Sequence, residues 1–324
     1  MKSIGYKIIC ICSLICSACT ESTHNYNYIV EKNDHSFPIE ELRETGSTDK
    51  EYSFQIEEWT ILNEKLYCNT SLSDRLFYSI SLNDYQVLDS FGIKGHGRNE
   101  FVAPHLFKID DNKLGIYDNG KKENYIFSGN RIRKSESWNL DLAVNDLKTI
   151  KYPMVAYVLY EPDIIRFQII NAENNDICDS IIYKDDGNQG KSIQYDFVWD
   201  SYKSYIVLAH RYSDVIKICR INDSGIITDI KALDNGEGGS SEKIYNTSVA
   251  CGKYIYVLNQ SNVNVDTQDG FSTVELYDYT GKHIKKLCLD IIADRMLLDT
   301  KHNKLLFLSP MYSYLHFTHL SDKE

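Results

Sequence analysis

Short apolar segments recur along this chain at a nearly constant spacing, and that spacing restricts the fold more than any other feature. The most apolar segments begin near Lys65, Lys113, Met154, Ser204, Lys253 and Lys304, with gaps of 48, 41, 50, 49 and 51 residues. Apolar segments of this kind between Asn, Asp and Gly turns are typical of β-strands. Because a four-stranded propeller blade occupies about 40–50 residues, residues 55–320 predict an all-β, six-bladed β-propeller of four-stranded antiparallel blades.

The last repeat is one strand short, which predicts how the ring closes. It contains "IADRMLLD", "KLLFLSP" and "YSYLHFTHL". An open ring would leave strand edges unpaired, so we expect a strand from the N-terminal part of the chain to complete this blade. The candidates are residues 25–32 and 51–57. We therefore assign residues 20–50 to a tether that could include this strand, and residues 51–324 to the propeller.

The first residues, "MKSIGYKIICICSLICSACTES", have the pattern of an export signal. Lys2 and Lys7 precede an apolar core over residues 8–15, which is too short to span a membrane. Small residues precede Cys19, as in bacterial lipoproteins, so we expect a signal peptide over residues 1–19 and a lipid on Cys19. Lipidation of Cys16 fits less well because the bulky Ile15 precedes it, and a plain signal peptide cut near Ala18 is the alternative. The expected location is the bacterial cell envelope, at the periplasmic or surface face of the outer membrane.

Charge and cysteine content narrow the classes of partner. The net charge of −11 becomes −13 once Lys2 and Lys7 are removed with the signal peptide. Nucleic-acid binding needs a basic face, so nucleic acid is not an expected partner. Five cysteines follow the signal region: Cys68, Cys178, Cys219, Cys251 and Cys288. They are far apart and lack a CxxC pair, which argues against zinc and indicates free thiols.

One glycine-rich stretch, "FGIKGHGRNEFVAP", has two interpretations. It lies between the outer strand of the first repeat and the inner strand of the second, where glycines allow the backbone to cross between blades. There Phe101 would fill the space between blades and Glu100 would accept backbone N–H groups. Alternatively, the stretch is part of a binding rim, because loops that join blades share a face with the channel mouth.

A second glycine-rich stretch begins at Asp234 and extends the proposed rim. It aligns with the first at an offset of 142 residues, which is three blades, so we expect the two to face each other across the channel. The candidate binding residues are His96, Arg98, Glu100, Asn235, Glu237 and Glu242. The first stretch is not a phosphate-binding loop, because it leads into a strand rather than a helix.

The same region resembles a known repeat. Gly92, Gly95, Gly97, Phe101, Pro104, Asp110 and Asp118 match the pattern of an NHL repeat. Over residues 50–320 the chain resembles more specifically the TolB-like six-bladed propeller lipoproteins of Bacteroidetes. Their G-x-G-P-x-E-F pattern appears as residues 95–101, with Arg98 in place of Pro, and residues 274–290 resemble their late-blade pattern. The resemblance implies an exported propeller and no particular reaction.

Other residue patterns do not point to a cofactor or to a catalytic set. The chain has no HExxH and no G-x-S-x-G, and we expect neither a metal nor a cofactor. A calcium site at Asp110 and Asp111, or at Asp185 and Asp186, stays open as an alternative. Aromatic residues crowd the third and fourth repeats, where they would pack between blades or bind sugars or peptides. These are Tyr152, Tyr157, Tyr160, Tyr195, Trp199, Tyr202 and Tyr205.

Two functions therefore remain. The first is a membrane-anchored binding or scaffolding module for a protein, peptide or glycan of the envelope. The second is an envelope enzyme, a lyase or glycan-processing hydrolase, with its site at the channel mouth. An enzyme needs converging acids or histidines on one face, and the sequence does not identify such a set, so the binding module is the main hypothesis.

Overall fold

The computed structural model describes residues 26–98, 100–110, 112–128, 131–135, 145–151, 153–161, 164–184, 195–200, 204–211, 214–234, 246–264, 267, 269–309 and 314–321. Over these residues every regular element is a β-strand. None of the described segments forms a helix long and apolar enough to cross a bilayer.

Six antiparallel sheets follow one another along the chain after three N-terminal strands. The N-terminal strands are β1 (Asn27–Glu31), β2 (Glu40–Arg43) and β3 (Gly46–Glu51). Blade 1 contains β4 (Glu58–Leu62), β5 (Lys65–Asn69), β6 (Arg75–Ser81) and β7 (Val87–Lys94), with the short β8 (Glu100–Phe101) added in parallel to β7. Blade 2 contains β9 (Pro104–Asp110), β10 (Lys113–Asp118), β11 (Glu123–Ser128) and β12 (Arg131–Ser135). Blade 3 contains β13 (Asn145–Lys151), β14 (Met154–Glu161), β15 (Ile164–Asn171) and β16 (Ile177–Lys184).

The second half of the ring repeats this order. Blade 4 contains β17 (Tyr195–Asp200), β18 (Tyr205–His210), β19 (Val215–Ile221) and β20 (Ile227–Asp234). Blade 5 contains β21 (Asn246–Cys251), β22 (Ile255–Asn259), β25 (Thr273–Tyr277) and β26 (His283–Leu289), and a small hairpin of β23 (Val263–Asn264) and β24 (Asp269–Gly270) follows β22. Blade 6 contains β27 (Arg295–Asp299), β28 (Lys304–Leu308) and β29 (Tyr314–His319).

The predicted repeat and its register are confirmed. Strands β5, β10, β14 and β28 begin at the predicted residues, and β18 and β22 begin one and two residues later than predicted. The first strands of consecutive blades contact one another from blade 1 to blade 6. The repeat also appears in hydrogen bonds between neighbouring blades, whose partners are 48 residues apart. These bonds join Leu106 N to Glu58 Oε2, Ile227 N to Asp179 Oδ2 and Ser248 Oγ to the Met296 carbonyl, at 2.7, 2.8 and 3.2 Å.

An N-terminal strand closes the ring, as expected, but it lies between the two candidate segments and shares only Glu51 with the second. Strand β3 pairs antiparallel with β29 and becomes the outer strand of blade 6. Residues 52–56 cannot form that strand because Tyr52, Phe54 and Ile56 are buried in a cluster between blades 6 and 1. The earlier candidate instead supplies β1, which pairs in parallel with β20 of blade 4.

The N-terminal segment also lengthens two further blades. Strand β1 is a fifth strand on blade 4, and β2 pairs in parallel with β26 as a fifth strand on blade 5. Residues 26–51 therefore follow the outer rim of three consecutive blades before the chain enters β4. The four-stranded blade is the repeating unit, and these parallel strands are additions at its outer edge.

Between β1 and β2, His35 fastens this segment to blades 4 and 5. Its Nε2 lies 2.6 Å from Asp214 Oδ2 and its Nδ1 lies 2.8 Å from Glu275 Oε1. Both carboxylates are almost fully buried. Burial lowers the pKa of His35, but the hydrogen bonds to Asp214 and Glu275 outweigh it and raise the pKa to about 10. His35 is therefore a cation at neutral pH.

Because strands in a blade alternate in direction, the connections divide between two faces. The loops that join blades and the turns between second and third strands lie on one face, which we call the mouth face. It is defined here by residues 70–74, 95–103 and 119–122. The opposite face carries the turns between third and fourth strands, such as residues 82–86 and 172–176.

The core lies between blades rather than within one of them. One cluster joins Leu76 and Phe77 of blade 1 to Leu114 and Ile116 of blade 2, and the other clusters join later neighbours in the same way. Tyr157 is buried, and its hydroxyl donates to Gln168 Oε1 at 2.9 Å, which confirms the packing interpretation for this aromatic residue. The five described cysteines are free, as predicted, and Cys68 and Cys219 are buried.

Candidate functional site at the channel mouth

The loop from β7 to β9 satisfies much of its own backbone. Gly95 N donates to the Phe101 carbonyl at 2.9 Å, and Gly97 N donates to Glu100 Oε2 at 2.7 Å. Lys121 Nζ donates to the carbonyls of Gly97 and Glu100 at 2.7 and 2.6 Å. The Glu100 carboxylate therefore accepts the Gly97 N–H group that an anionic ligand would otherwise bind. This confirms the predicted structural role of Glu100.

Glycine is required within β7, two residues before the strand ends. Gly92 has φ of +70°, and a Cβ built on it would lie 2.5 Å from Cδ2 of the Phe77 ring. Phe101 is fully buried and packs edge-to-face against Phe77 and Tyr125, with ring centroids 5.3 and 4.9 Å apart. These contacts join blades 1 and 2, which confirms the predicted position of Phe101.

Asp118, at the end of β10, stabilises the same loop through hydrogen bonds to its backbone. Its side chain is fully buried. Its carboxylate accepts from the backbone N–H groups of Val102, Ala103 and Gly120 at 2.9–3.0 Å, and from that of Lys121 at 3.3 Å. The Asp in the NHL-like pattern is therefore a structural anchor of the crossing loop.

The structure separates the predicted rim residues into two groups. His96 and Arg98 are exposed on the mouth face, whereas Glu100 is half-buried and bonded within its loop. The other predicted residues, Asn235, Glu237, Glu242 and the lipidation site Cys19, lie outside the described residues, so the opposed-loop hypothesis stays a prediction.

A charged set that the sequence did not reveal lies next to this loop. Glu58 begins β4, His105 is the second residue of β9, and Asn119 follows β10. Glu58 Oε1 lies 2.6 Å from His105 Nδ1, and Asn119 Nδ2 lies 2.9 Å from His105 Nε2. The only sequence signal for this contact is the separation of 47 residues between Glu58 and His105, which is one blade.

The bonding partners of this set define its protonation. The carboxylate accepts at Nδ1, so Nδ1 carries a proton, and the amide of Asn119 donates to Nε2, so Nε2 does not. Glu58 Oε2 also accepts from Leu106 N at 2.7 Å and from Asn69 Nδ2 at 2.9 Å. His105 is thus a neutral, oriented imidazole. About a fifth of its side chain and a quarter of that of Glu58 remain exposed (21% and 24%).

A second charged pair lies on the same face and joins blade 4 to blade 6, which blade 5 separates in the ring. Arg211 follows β18 and precedes β19, and its Nη2 lies 3.2 Å from Oδ1 of Asp294, which precedes β27. The arginine side chain is 28% exposed and the aspartate 8%. Arg295 also donates to the carbonyl of Glu57 and so joins blade 6 to the segment entering blade 1. Partly exposed polar and charged side chains from four blades therefore lie on the mouth face.

Two titratable groups near the mouth are too buried to exchange protons with a ligand. Burial, followed by the positive charge of Lys217, lowers the pKa of His210 to about 3. Burial lowers the pKa of Lys217 to about 8. Both side chains are less than 10% exposed. His210 is neutral at physiological pH and supports the fold of blade 4.

Within the described residues, no group of three or more His, Cys, Asp or Glu side chains is arranged to hold a metal ion. The calcium alternative involves Asp111, Asp185 and Asp186, which lie outside those residues.

Comparisons with known proteins agree with this architecture. The family model described as "TolB-like 6-blade propeller-like" matches residues 54–301 of this chain. No relative among curated proteins matches the sequence. A member of the DUF4221 family from Bacteroides vulgatus superposes with a TM-score of 0.53 at 10% identity, covering 93% of this chain and 98% of that one.

Two other solved propellers show the same fold at similar distance. A luciferin-regenerating enzyme superposes with a TM-score of 0.56 at 9% identity, and the match covers 86% of this chain and 96% of the enzyme chain. The Cps50 (Swd1) propeller domain from Myceliophteria thermophila has a TM-score of 0.52 at 10% identity, with coverage of 86% and 100%. Likeness at this identity concerns the fold alone, whereas the match over residues 54–301 spans most of the chain. The chain therefore belongs to the TolB-like six-bladed propeller family.

Proposed function

We propose that this protein is a lipid-anchored protein of the bacterial envelope whose propeller binds a protein, peptide or glycan at the channel mouth. The observation that supports binding there is the set of partly exposed, hydrogen-bonded polar and charged side chains that different blades place on the mouth face, above all Glu58, His105 and Arg211. Polar groups held in place by other side chains lose little freedom when a ligand binds.

The anchor rests on the export pattern of the first 19 residues. Lys2 and Lys7, the apolar core and the small residues before Cys19 support lipidation at that cysteine. The first described strand follows shortly after, on the outer rim, so an anchor at Cys19 leaves the mouth face unobstructed.

Photo-crosslinking in cells tests where a partner binds. A photoreactive amino acid replaces Leu72, which is 70% exposed in a turn of the mouth face, or Ile177, which is 56% exposed on the opposite face. We expect adducts from position 72 and none from position 177. Adducts from position 177 alone would place the partner on the other face and contradict the proposal.

Substitutions then test the charges themselves. We expect Arg211→Ala and Glu58→Gln to reduce the yield of the position-72 adduct at least fivefold. Arg133→Ala, on the outer strand of blade 2, and Glu173→Gln, on the opposite face, are the matched controls and should leave the yield unchanged.

The enzyme hypothesis has one supporting observation, the 2.6 Å contact between Glu58 and His105, since a carboxylate that orients an imidazole is a common acid–base arrangement. Catalysis would require Asn119 to leave Nε2. Turnover of envelope glycans that Asn119→Ala increases and His105→Ala abolishes would favour this second function over simple binding.

A further inference from the structure

The outer rim of blades 4 and 5 exposes an unusual number of apolar side chains. Twelve large apolar side chains are exposed in the described part of the chain, and five of them lie between residues 28 and 42. They are Tyr28, Ile29, Val30, Ile39 and Leu42, with exposures from 45% to 87%. All five residues of β1 are exposed, so both sides of this edge strand face solvent. Exposed apolar side chains concentrated in one segment of the chain point to an interaction surface.

The charges of this rim are largely paired. The rim pairs are Glu31 with Lys231 at 2.8 Å, Glu40 with Lys286 at 3.1 Å, and Glu41 with Lys285 and with Arg43. The chain as a whole has a net charge of −11. The acids of the rim are therefore largely neutralised by neighbouring bases. The rim should repel an anionic surface less than the net charge of the whole chain suggests.

The position of the rim in the chain limits what can cover it. Asn27, where β1 begins, is eight residues after Cys19. An extended chain covers at most about 3.5 Å per residue, so in a chain anchored at Cys19 the rim starts within about 28 Å of the bilayer. A second copy of the chain is the competing occupant, and the dependence of protection on protein concentration distinguishes it from the bilayer.

We propose that β1 and β2, on the outer rim of blades 4 and 5, rest against the bilayer surface, with Tyr28, Ile29, Val30, Ile39 and Leu42 in the interface. This inference rests on the lipid anchor of the proposed function. Contact through the rim places the channel axis roughly parallel to the membrane and leaves the mouth face open to the surrounding solution.

Hydrogen exchange on tethered protein tests this contact. The mature chain, residues 20–324, carries a histidine tag in place of Cys19 and binds phosphatidylethanolamine–phosphatidylglycerol vesicles that contain a nickel-chelating lipid. We expect amide exchange in peptides covering residues 27–43 to slow at least threefold on vesicles. Peptides covering β7, on the outer edge of blade 1 across the ring, should not change.

Matched variants identify the side chains responsible. Leu42→Glu combined with Ile29→Glu should abolish the protection while the tag keeps the protein on the vesicles. Leu88→Glu, at a position of β7 that is about as exposed as Ile29 (51% against 56%), should retain it. If the double variant fails to fold, as judged by its circular dichroism melt, the wild-type comparison of residues 27–43 with β7 still decides the question.

Three results would overturn the proposal: unchanged exchange at residues 27–43, equal protection at β7, or protection that appears without vesicles and rises with protein concentration. The last would assign the rim to a second copy. Because the chelating lipid supplies the tether, failure here is distinct from failure of the anchor, which metabolic labelling of Cys19 with palmitate tests separately.

Discussion

Removing the cation that holds the N-terminal segment should destabilise the whole ring in a pH-dependent way. His35 lies between Asp214 and Glu275, and the side chains of these two acids are only 1% and 3% exposed. In His35→Gln both carboxylates stay buried while their shared positive charge is lost. Asn33 and Tyr277 still donate to them at 3.2 and 2.9 Å, but they carry no charge.

The expected loss is substantial. Breaking a buried ion pair by removing one partner costs about 3–5 kcal/mol. His35 itself is 26% exposed, so we expect about 2–3 kcal/mol for His35→Gln at pH 6, after allowance for solvent screening. For a chain of this size that corresponds to a fall in Tm of about 5 °C.

The sign of the pH dependence follows from the pKa of His35. It is about 10 in the folded protein and about 6.5 in an unfolded chain, so folding takes up a proton between these values. The stabilisation by His35 is complete below pH 6.5 and is lost as the pH rises towards 10. The Tm difference between wild type and His35→Gln should therefore be largest at pH 6 and shrink steadily up to pH 10.

Calorimetric melts at pH 6, 7, 8, 9 and 10 measure this difference. His96→Gln is the control, because His96 is exposed on the crossing loop, and its Tm should stay within about 1 °C of wild type, as for most surface substitutions. A Tm difference for His35→Gln that does not vary with pH, or that grows above pH 8, would refute the assignment of His35 as a cation held by two buried carboxylates.

Three further predictions concern the crossing loop and the anchor. Asp118→Ala removes the acceptor of several backbone N–H groups and should cost about 2–4 kcal/mol in the free energy of unfolding, whereas Asp89→Ala on exposed β7 should cost under about 0.5 kcal/mol; denaturant melts compare the two. Gly92→Ala combines a φ of +70° with contact on the Phe77 ring and should cost about 2–3 kcal/mol, and an unchanged denaturation midpoint would contradict the strain argument. Cys19→Ser should move the protein from the membrane to the soluble fraction, as immunoblots of fractionated cells would show, and continued membrane association would count against lipidation.

The repeat could be predicted because each blade contains a short apolar segment between turns, which is visible in the local sequence. Each apolar second strand lies in the middle of a blade, buried from both sides, so its position is visible as an apolar segment between turns. Strands beginning at Lys65, Lys113, Met154 and Lys304 were therefore found at the predicted residues. The need for ring closure followed from the same count, because the last repeat lacked one strand.

Outer strands could not be assigned in this way. Strand β3 reads Gly-Ser-Thr-Asp-Lys-Glu and has no apolar periodicity. It closes the ring because β29 offers it a free edge for backbone hydrogen bonds, and an outer strand needs little side-chain burial. The neighbouring apolar residues "YSF" led us to predict a strand at residues 51–57. In the structure, Tyr52 and Phe54 are instead buried between blades 6 and 1.

The sequence by itself determined the blade period and the need for an N-terminal strand to close the ring. Only the tertiary structure brought Glu58 to His105 and placed His35 between Asp214 and Glu275, partners 47 to 240 residues apart. A local sequence pattern predicts which residues are buried, because burial follows from the apolar or polar character of each side chain. Polar pairing depends on which blades become neighbours, and that is decided only when the ring closes.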